Sequence, residues 1–182
     1  MTTALVLVDI QNDYFAGGNM ALEGMDAAAA NAAKLLAGFR ERGLPVFHMR
    51  HLSVRPDATF FVPGTPGAEV HASVRPAAGE SLVEKNFPNS FRGTSLLEQL
   101  RGANADGVVI AGAMSHMCID AITRAAFDHG FKCTVAENAC ATRALEFGGR
   151  TIPARDVHAA FMAALAVPYA RIASTEEVWR AL

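Results

Sequence analysis

The sequence predicts a three-layer α/β fold around a parallel sheet, and three observations point there. Short unbroken apolar runs such as Ala4–Val8 and Val108–Ala111 have the pattern of strands buried on both faces. Between them lie segments with apolar residues at helical spacing, such as Ala32, Leu35, Leu36 and Phe39. No internal repeat, low-complexity tract or linker breaks the alternation, so residues 1–182 read as one doubly wound domain.

Taken in order, Ala4–Val8 is the first strand. After a Gly17-Gly18 turn, Asp26 is placed to cap a helix and Gly43 to stop it. Val46–Met49 is the second strand. Residues 52–80 hold Pro56, Pro63, Pro66 and Pro76 without a clear period and read as a long loop, a feature that in compact domains usually serves function. Leu82–Lys85 is a short strand, and a helix from Ser95 has Glu98 where a capping box would need it. Val108–Ala111 is the fourth strand. Gly112 opens a tight connection to a helix with Ile119, Ile122 and Ala126 on one face, ended by His129-Gly130. The strand Cys133–Ala136, a helix started by Pro153, the strand Arg171–Ala173 and a helix capped by Ser174 and Glu177 complete the pattern.

Composition excludes several function classes. With 16 basic and 18 acidic residues scattered along the chain, there is no basic stripe for a phosphate backbone, so no nucleic acid partner is expected. No basic leader is visible and no apolar run nears the roughly 20 residues that cross a bilayer, so a cytoplasmic protein without a membrane partner is expected. Cys118, Cys133 and Cys140 make neither an even set nor a CxxC pair, which fits free thiols in a reducing compartment.

Ligands of open parallel sheets bind beyond the carboxyl ends of the strands, so the residues after each apolar run are the informative ones. Asp9 follows the first strand, Lys85 ends the third, and Cys118 lies just past the fourth at a helix start. Helix N-terminal amides stabilise a thiolate and bind an oxyanion, yet a buried cysteine is equally well a small core residue, and position alone leaves the two even. Asp9 alone reads as a turn former, and Lys85 alone as a solvated charge. Cys133 reads as core, and Cys140 stays open. His48 and His51 stand at i and i+3, but no HxH, DxH or HExxH pattern around them supports a metal, and no GxGxxG or P-loop supports a cofactor. His116 and Met117 flank the thiol and are expected to line its pocket.

Three stretches, Asp9-Ile-Gln-Asn-Asp-Tyr14, Glu84-Lys85 and Gly112-Ala-Met-Ser-His-Met-Cys118 with Ile119, resemble in order and spacing the motifs of the isochorismatase-like cysteine hydrolases. Phe60-Phe61 and Ala139-Cys-Ala-Thr-Arg143 are similar to a bacterial cysteine hydrolase branch of that family. The resemblance implies a Rossmann-like, six-stranded parallel sheet of order 3-2-1-4-5-6 and a triad of Asp9, Lys85 and Cys118. It also implies a non-proline cis peptide at Ala113–Met114, an oxyanion site of the Met114 and Cys118 amides, and a homodimer or homotetramer. A Phe-containing long loop that would otherwise expose apolar surface points the same way.

The implied activity is amidase-like: Cys118 attacks a small amide to give a thioester, with no metal or other cofactor. Tyr14, Phe60, Phe61, His116 and Met117 would form the substrate pocket. The sequence departs from the family at His48-Met-Arg-His51, which lacks the Asp-x-His of metal-binding nicotinamidases, and at Ser115, where Thr is usual. True isochorismatases tend to lack the cysteine. A vinyl ether hydrolase and a redox-sensing thiol protein remain the alternatives. In the implied strand order Lys85 starts some distance from Asp9, which makes its role the least secure by geometry.

Overall fold

The computed structural model describes residues 2–182. Six parallel strands form one sheet: β1 (Thr2–Val8), β2 (Val46–His51), β3 (Ser81–Lys85), β4 (Ala105–Ala113), β5 (Lys132–Ala141) and β8 (Ala170–Ala173). Their spatial order is β3-β2-β1-β4-β5-β8, the implied 3-2-1-4-5-6 once the strands of this sheet are counted alone. The remaining pair, β6 (Leu145–Phe147) and β7 (Arg150–Ile152), forms a separate antiparallel hairpin.

The unbroken apolar runs are explained by two cores, one on each face of the sheet. Leu5, Leu7, Val109 and Ala111 face α1 (Met25–Glu41) and α5 (Thr175–Ala181). Ala4, Val6, Val8, Val108 and Ile110 face α2 (Leu96–Gly102), α3 (Asp120–Asp128) and α4 (Ala154–Leu165). Successive residues of β1 and β4 thus enter opposite cores, so neither strand has a solvent face to mark with polar residues.

Several local expectations are corrected. Asp26 does not cap α1: Gly24, with φ 71°, is the N-cap, and Asp26 sits in the first helical turn. Ser95 and Glu98 make no capping box; the Ser95 hydroxyl instead accepts from Gln99 at 2.7 Å. The box at Ser174 and Glu177 is present, with both reciprocal bonds formed. Residues 52–80 are not wholly irregular, because Pro66–Ala68 and Ala72–Val74 are 3-10 turns. The β6–β7 hairpin was not anticipated, although Gly148-Gly149 between its strands, with φ 58° and 74°, is the dipeptide a two-residue hairpin turn favours.

The long loop is stitched to the segment after β1. The Asn12 amide donates to Glu69 O at 3.0 Å and the His71 amide to Ile10 O at 2.9 Å. Asp13, only 2% exposed, accepts the Phe61 amide at 2.6 Å and the Asn19 amide at 3.1 Å. A side chain at Gly67 would collide with that carboxylate, so glycine is required there. At its far end the loop is held by Glu80, which pairs with Arg40 of α1 at 2.6 Å and with the buried His48 of β2 at 2.8 Å.

The Arg40 hydrogen bond above all, together with the Ala77 amide and His48, lowers the Glu80 carboxyl to about 2. A depressed carboxyl stabilises the fold above its unfolded value near 4.5 and loses that contribution as the pH falls through about 2. Solvent reaches the pair, which limits the effect to about 1–2 kcal/mol. Glu80→Gln is therefore expected to lower stability by that amount in urea unfolding at pH 7, and the gap to the parent protein should close near pH 2. A gap that is constant with pH would contradict this account of Glu80.

Candidate active site

Three strand ends bring the site together. Val8 pairs with Met49 on one side and with Gly112 on the other, so β1 ends between β2 and β4. Gly112, at φ 131°, must be glycine because a side chain there would strike the Val8 carbonyl. Asp9 leaves the strand with φ 54°, a left-handed conformation that Asp tolerates better than most residues, while its amide still donates to Met49 O at 3.1 Å. On the other side of β2, His51 is in register with Lys85.

Lys85 is the centre of the site. Its Nζ lies 2.8 Å from Asp9 Oδ2, 3.1 Å from His51 Nδ1, 3.1 Å from Phe87 O and 3.4 Å from Cys118 Sγ. The expected weakness of Lys85 is thereby corrected. Two strand spacings of ~4.8 Å separate β3 from β1, and the extended lysine side chain crosses the end of β2 to bridge them. Asp9, Lys85 and Cys118 are at most 1% exposed. The Asp9–Lys85 contact is a buried ion pair, and an Asp9 oxygen lies within 4.8 Å of Cys118 Sγ, which brings a proton acceptor to the thiol.

Burial and then the Asp9 carboxylate push the Cys118 thiol far above its ordinary value, against the pull of Lys85. The expectation that helix amides would lower it is corrected, because desolvation and a neighbouring anion outweigh them. Cys118 also does not stand at the first turn of an α-helix. It is the fourth residue of a π-type turn, Ser115–Ile119, that precedes α3. Burial alone would lower the Lys85 ammonium, but Asp9 and Cys118 more than offset it and hold Lys85 raised. The resting site is thus a neutral thiol beside a carboxylate–ammonium pair. The Ala113–Met114 peptide is cis.

His51, weighed from the sequence only as a metal ligand, belongs to this site through its contact with Lys85. Its ring is held neutral, lowered by burial. Gln11, 0% exposed, fixes the backbone on which it stands: Oε1 accepts the His51 amide at 2.7 Å and Nε2 donates to His51 O at 2.9 Å and Ala68 O at 2.8 Å. The position of Gln11 inside the first motif was the available signal. His51 also supplies, with Asp9, the convergence thought to be missing for a metal. Asp9, His51 and Cys118 offer ligand atoms within 4.8 Å of one another. The Lys85 ammonium, within 3.4 Å of an atom of each, already occupies the position of a cation among them.

The expected pocket residues divide. Phe61 is 1% exposed, its ring centroid 4.6 Å from Tyr14, 5.0 Å from Phe60 and 5.8 Å from His51, so these aromatics form one wall beside the site. This corrects the expectation of an apolar loop left open to solvent. Burial, then Cys118 and Asp9, raises the Tyr14 phenol well above its usual value and keeps it neutral. His116 is tied to Thr142 Oγ1 at 2.7 Å, while Met117 remains 40% exposed. Cys133 is core, as expected, and Cys140 is buried as well. Among the described residues no helix is long and apolar enough to cross a membrane.

A parallel α/β sheet with a buried acid, lysine and thiol at its carboxyl edge defines a class of hydrolase fold and site, and the sequence places the chain within it. Residues 3–177 match the isochorismatase domain, and the chain belongs to the isochorismatase family of hydrolases. It is 51% identical over 176 residues to YddQ of Bacillus subtilis, described as an uncharacterized isochorismatase family protein, covering 97% of this chain and 98% of that one. A crystal structure presented as an isochorismatase hydrolase from Oleispira antarctica shares 53% identity with a TM-score of 0.95, over 98% of this chain and 96% of that one. Maleamate amidohydrolase of Pseudomonas putida is 31% identical over 157 residues, covering 77% of this chain and 72% of that one.

A thiol raised in this way is almost free of thiolate at neutral pH, and the thiolate is the reactive form. Without substrate, iodoacetamide at pH 8 is expected to alkylate Cys118 at least tenfold more slowly than it does a free cysteine, as read by peptide mass spectrometry. Alkylation at the free-cysteine rate would contradict the neutral resting thiol.

Proposed function

We propose that the chain is a cysteine-dependent amidase that hydrolyses a carbon–nitrogen bond of a small molecule through a thioester on Cys118. The observation that carries this reading is the sealed contact of Lys85 with both Asp9 and Cys118, which joins a proton acceptor, a cation and a thiol in one water-poor site. Asp9 takes the Cys118 proton as Sγ attacks the carbonyl carbon, and the oxyanion is met by the Met114 and Cys118 amides. Asp9 returns the proton to the departing nitrogen, and the amine leaves with the C–N bond broken. Water, deprotonated by Asp9, then cleaves the thioester to give the carboxylic acid and the free thiol. Lys85 favours the transient thiolate throughout. The similarity to maleamate amidohydrolase supports the amide class.

The burial of Cys118 and its raised thiol also argue against a redox sensor, whose thiol needs exposure and a lowered pKa. The ammonium among the candidate ligands argues for turnover without a metal, so chelation should leave activity unchanged. At the mouth, exposed Arg143 makes no ion pair among the described residues, and its charge acts on both Tyr14 and His116. Asp9 and Lys85 cancel each other, so Arg143 gives the entrance its net charge and favours amides that carry a carboxylate. The free thiols accord with a reducing compartment, the cytoplasm. A homodimer or homotetramer is supported by Phe147, 82% exposed, and Ile152, 38% exposed, on the β6–β7 hairpin, and light scattering at the mass of one chain would remove that proposal.

Ammonia release across a panel of small amides, with and without a carboxylate, tests the central reading. Cys118→Ala is expected to stay folded and lose at least a thousandfold in kcat, and hydroxylamine added to the parent enzyme should divert the acyl group to a hydroxamate. Near-parental rates in Cys118→Ala would shift the reaction to a non-covalent route through Asp9.

A further inference from the structure

The turn that carries Cys118 is held from within on one side only. The Met114 carbonyl accepts the amides of Met117 at 3.0 Å and Ile119 at 3.2 Å, which fixes the later part of the Ser115–Ile119 turn. The early part is fastened from outside. Ser115, 0% exposed, places its Oγ 2.8 Å from His158 Nδ1 of α4 and 3.3 Å from the Ala141 carbonyl of β5. Glu137 Oε2 lies 3.9 Å from His158 Nε2, too far for a hydrogen bond. The Ala141 carbonyl can only accept, so the Ser115 hydroxyl gives it its single proton, and both contacts are satisfied when His158 Nδ1–H donates to Ser115 Oγ. The adjacent residue is fastened in parallel, through His116 Nδ1 and Thr142 Oγ1 at 2.7 Å.

We propose that Ser115 and His158 form a positioning pair: the hydrogen bond from the half-buried His158 to the buried Ser115 holds the nucleophile turn so that Cys118 Sγ and the Met114 and Cys118 amides converge on the carbonyl. The pair rests on the reading of Cys118 as the nucleophile. Ser115 is one residue from Met114 and three from Cys118, so both amides lie within the segment this bond restrains. α4 thereby takes part in the site although none of its side chains touches the Asp9–Lys85–Cys118 cluster. His158 is a positioning residue, since it acts through Ser115 and not on the reacting atoms. Misplacing a nucleophile by an ångström slows the chemical step without weakening ground-state binding, which separates this role from simple packing.

The test compares Ser115→Ala, Ser115→Thr, His158→Leu and His158→Asn, alone and as the Ser115→Ala/His158→Leu double variant, on the best amide substrate. Thr keeps the hydroxyl, and the Asn amide places an N–H donor near the position of Nδ1. Ser115→Ala and His158→Leu are expected to lower kcat roughly 10- to 100-fold with KM within about twofold. The double variant should fall no further than the worse single one, and Ser115→Thr and His158→Asn should recover most of the loss. A kcat for His158→Leu within twofold of the parent, an effect confined to KM, multiplied losses in the double variant, or no recovery in His158→Asn would each overturn the proposal. Circular dichroism melts identify a variant that fails by unfolding, and in that case Ser115→Ala, the smallest change, decides. Failure of the covalent reading would show instead in Cys118→Ala, which retains its rate only if that reading is wrong.

Discussion

The site depends on one buried ion pair, Lys85 with Asp9. Each charge alone would be costly at 0% side-chain exposure, and each is tolerable only because the other stands 2.8 Å away. The pair requires β1, β2 and β3 to end at matched heights, since Lys85 must reach across β2 to Asp9. The parallel register supplies this: Val8 opposite Met49, and His51 opposite Lys85. Gln11 then locks the end of β2 by two hydrogen bonds to His51 and ties it to the long loop by a third at Ala68 O, and Gly112 lets β4 pass close enough to deliver the thiol. Loss of one partner would leave an unpaired charge in the core, so fold and chemistry are coupled at this point.

The same pair accounts for the state of the thiol. Lys85 is already engaged with Asp9, His51 and Phe87 O, so only part of its field is free for Cys118, and burial outweighs the remainder. In the mechanism proposed above, the thiol is accordingly activated by proton transfer during attack and not stored as an anion. That arrangement fits the sealed geometry, in which a permanent thiolate would have to be solvated by a site with little water to offer.

The strands were legible because burial on both faces leaves a clear signature, seen in Ala4–Val8 and Val108–Ala111, and their order because the motifs resemble a known family. Asp9, Lys85 and Cys118 were legible because each follows such a run and because their flanking motifs resemble a known family. Helix starts were less so. Asp26 and Ser95 carry the right side chains for caps, but the backbone turned at Gly24 before Asp26 could serve, and Ser95 bonded Gln99 instead. The place of His51 beside Lys85 was not legible because it comes from cross-strand register, which spacing along one strand does not display. The raised thiol escaped for a related reason: sequence shows the helix that follows Cys118 but not the depth of its burial.

The distribution of charge between floor and mouth has a consequence for how the protein responds to its ionic surroundings. Mobile ions screen charges in contact with solvent over about 8 Å at physiological salt, but they do not enter a site whose Asp9 and Lys85 side chains have no exposed surface. Arg143 is exposed and stands in the screened region. Added salt should then weaken the capture of an anionic molecule at the entrance while leaving the rate of the bound complex untouched. On the proposed reading, recognition and chemistry would then lie in two dielectric environments, one coupled to the medium and one insulated from it.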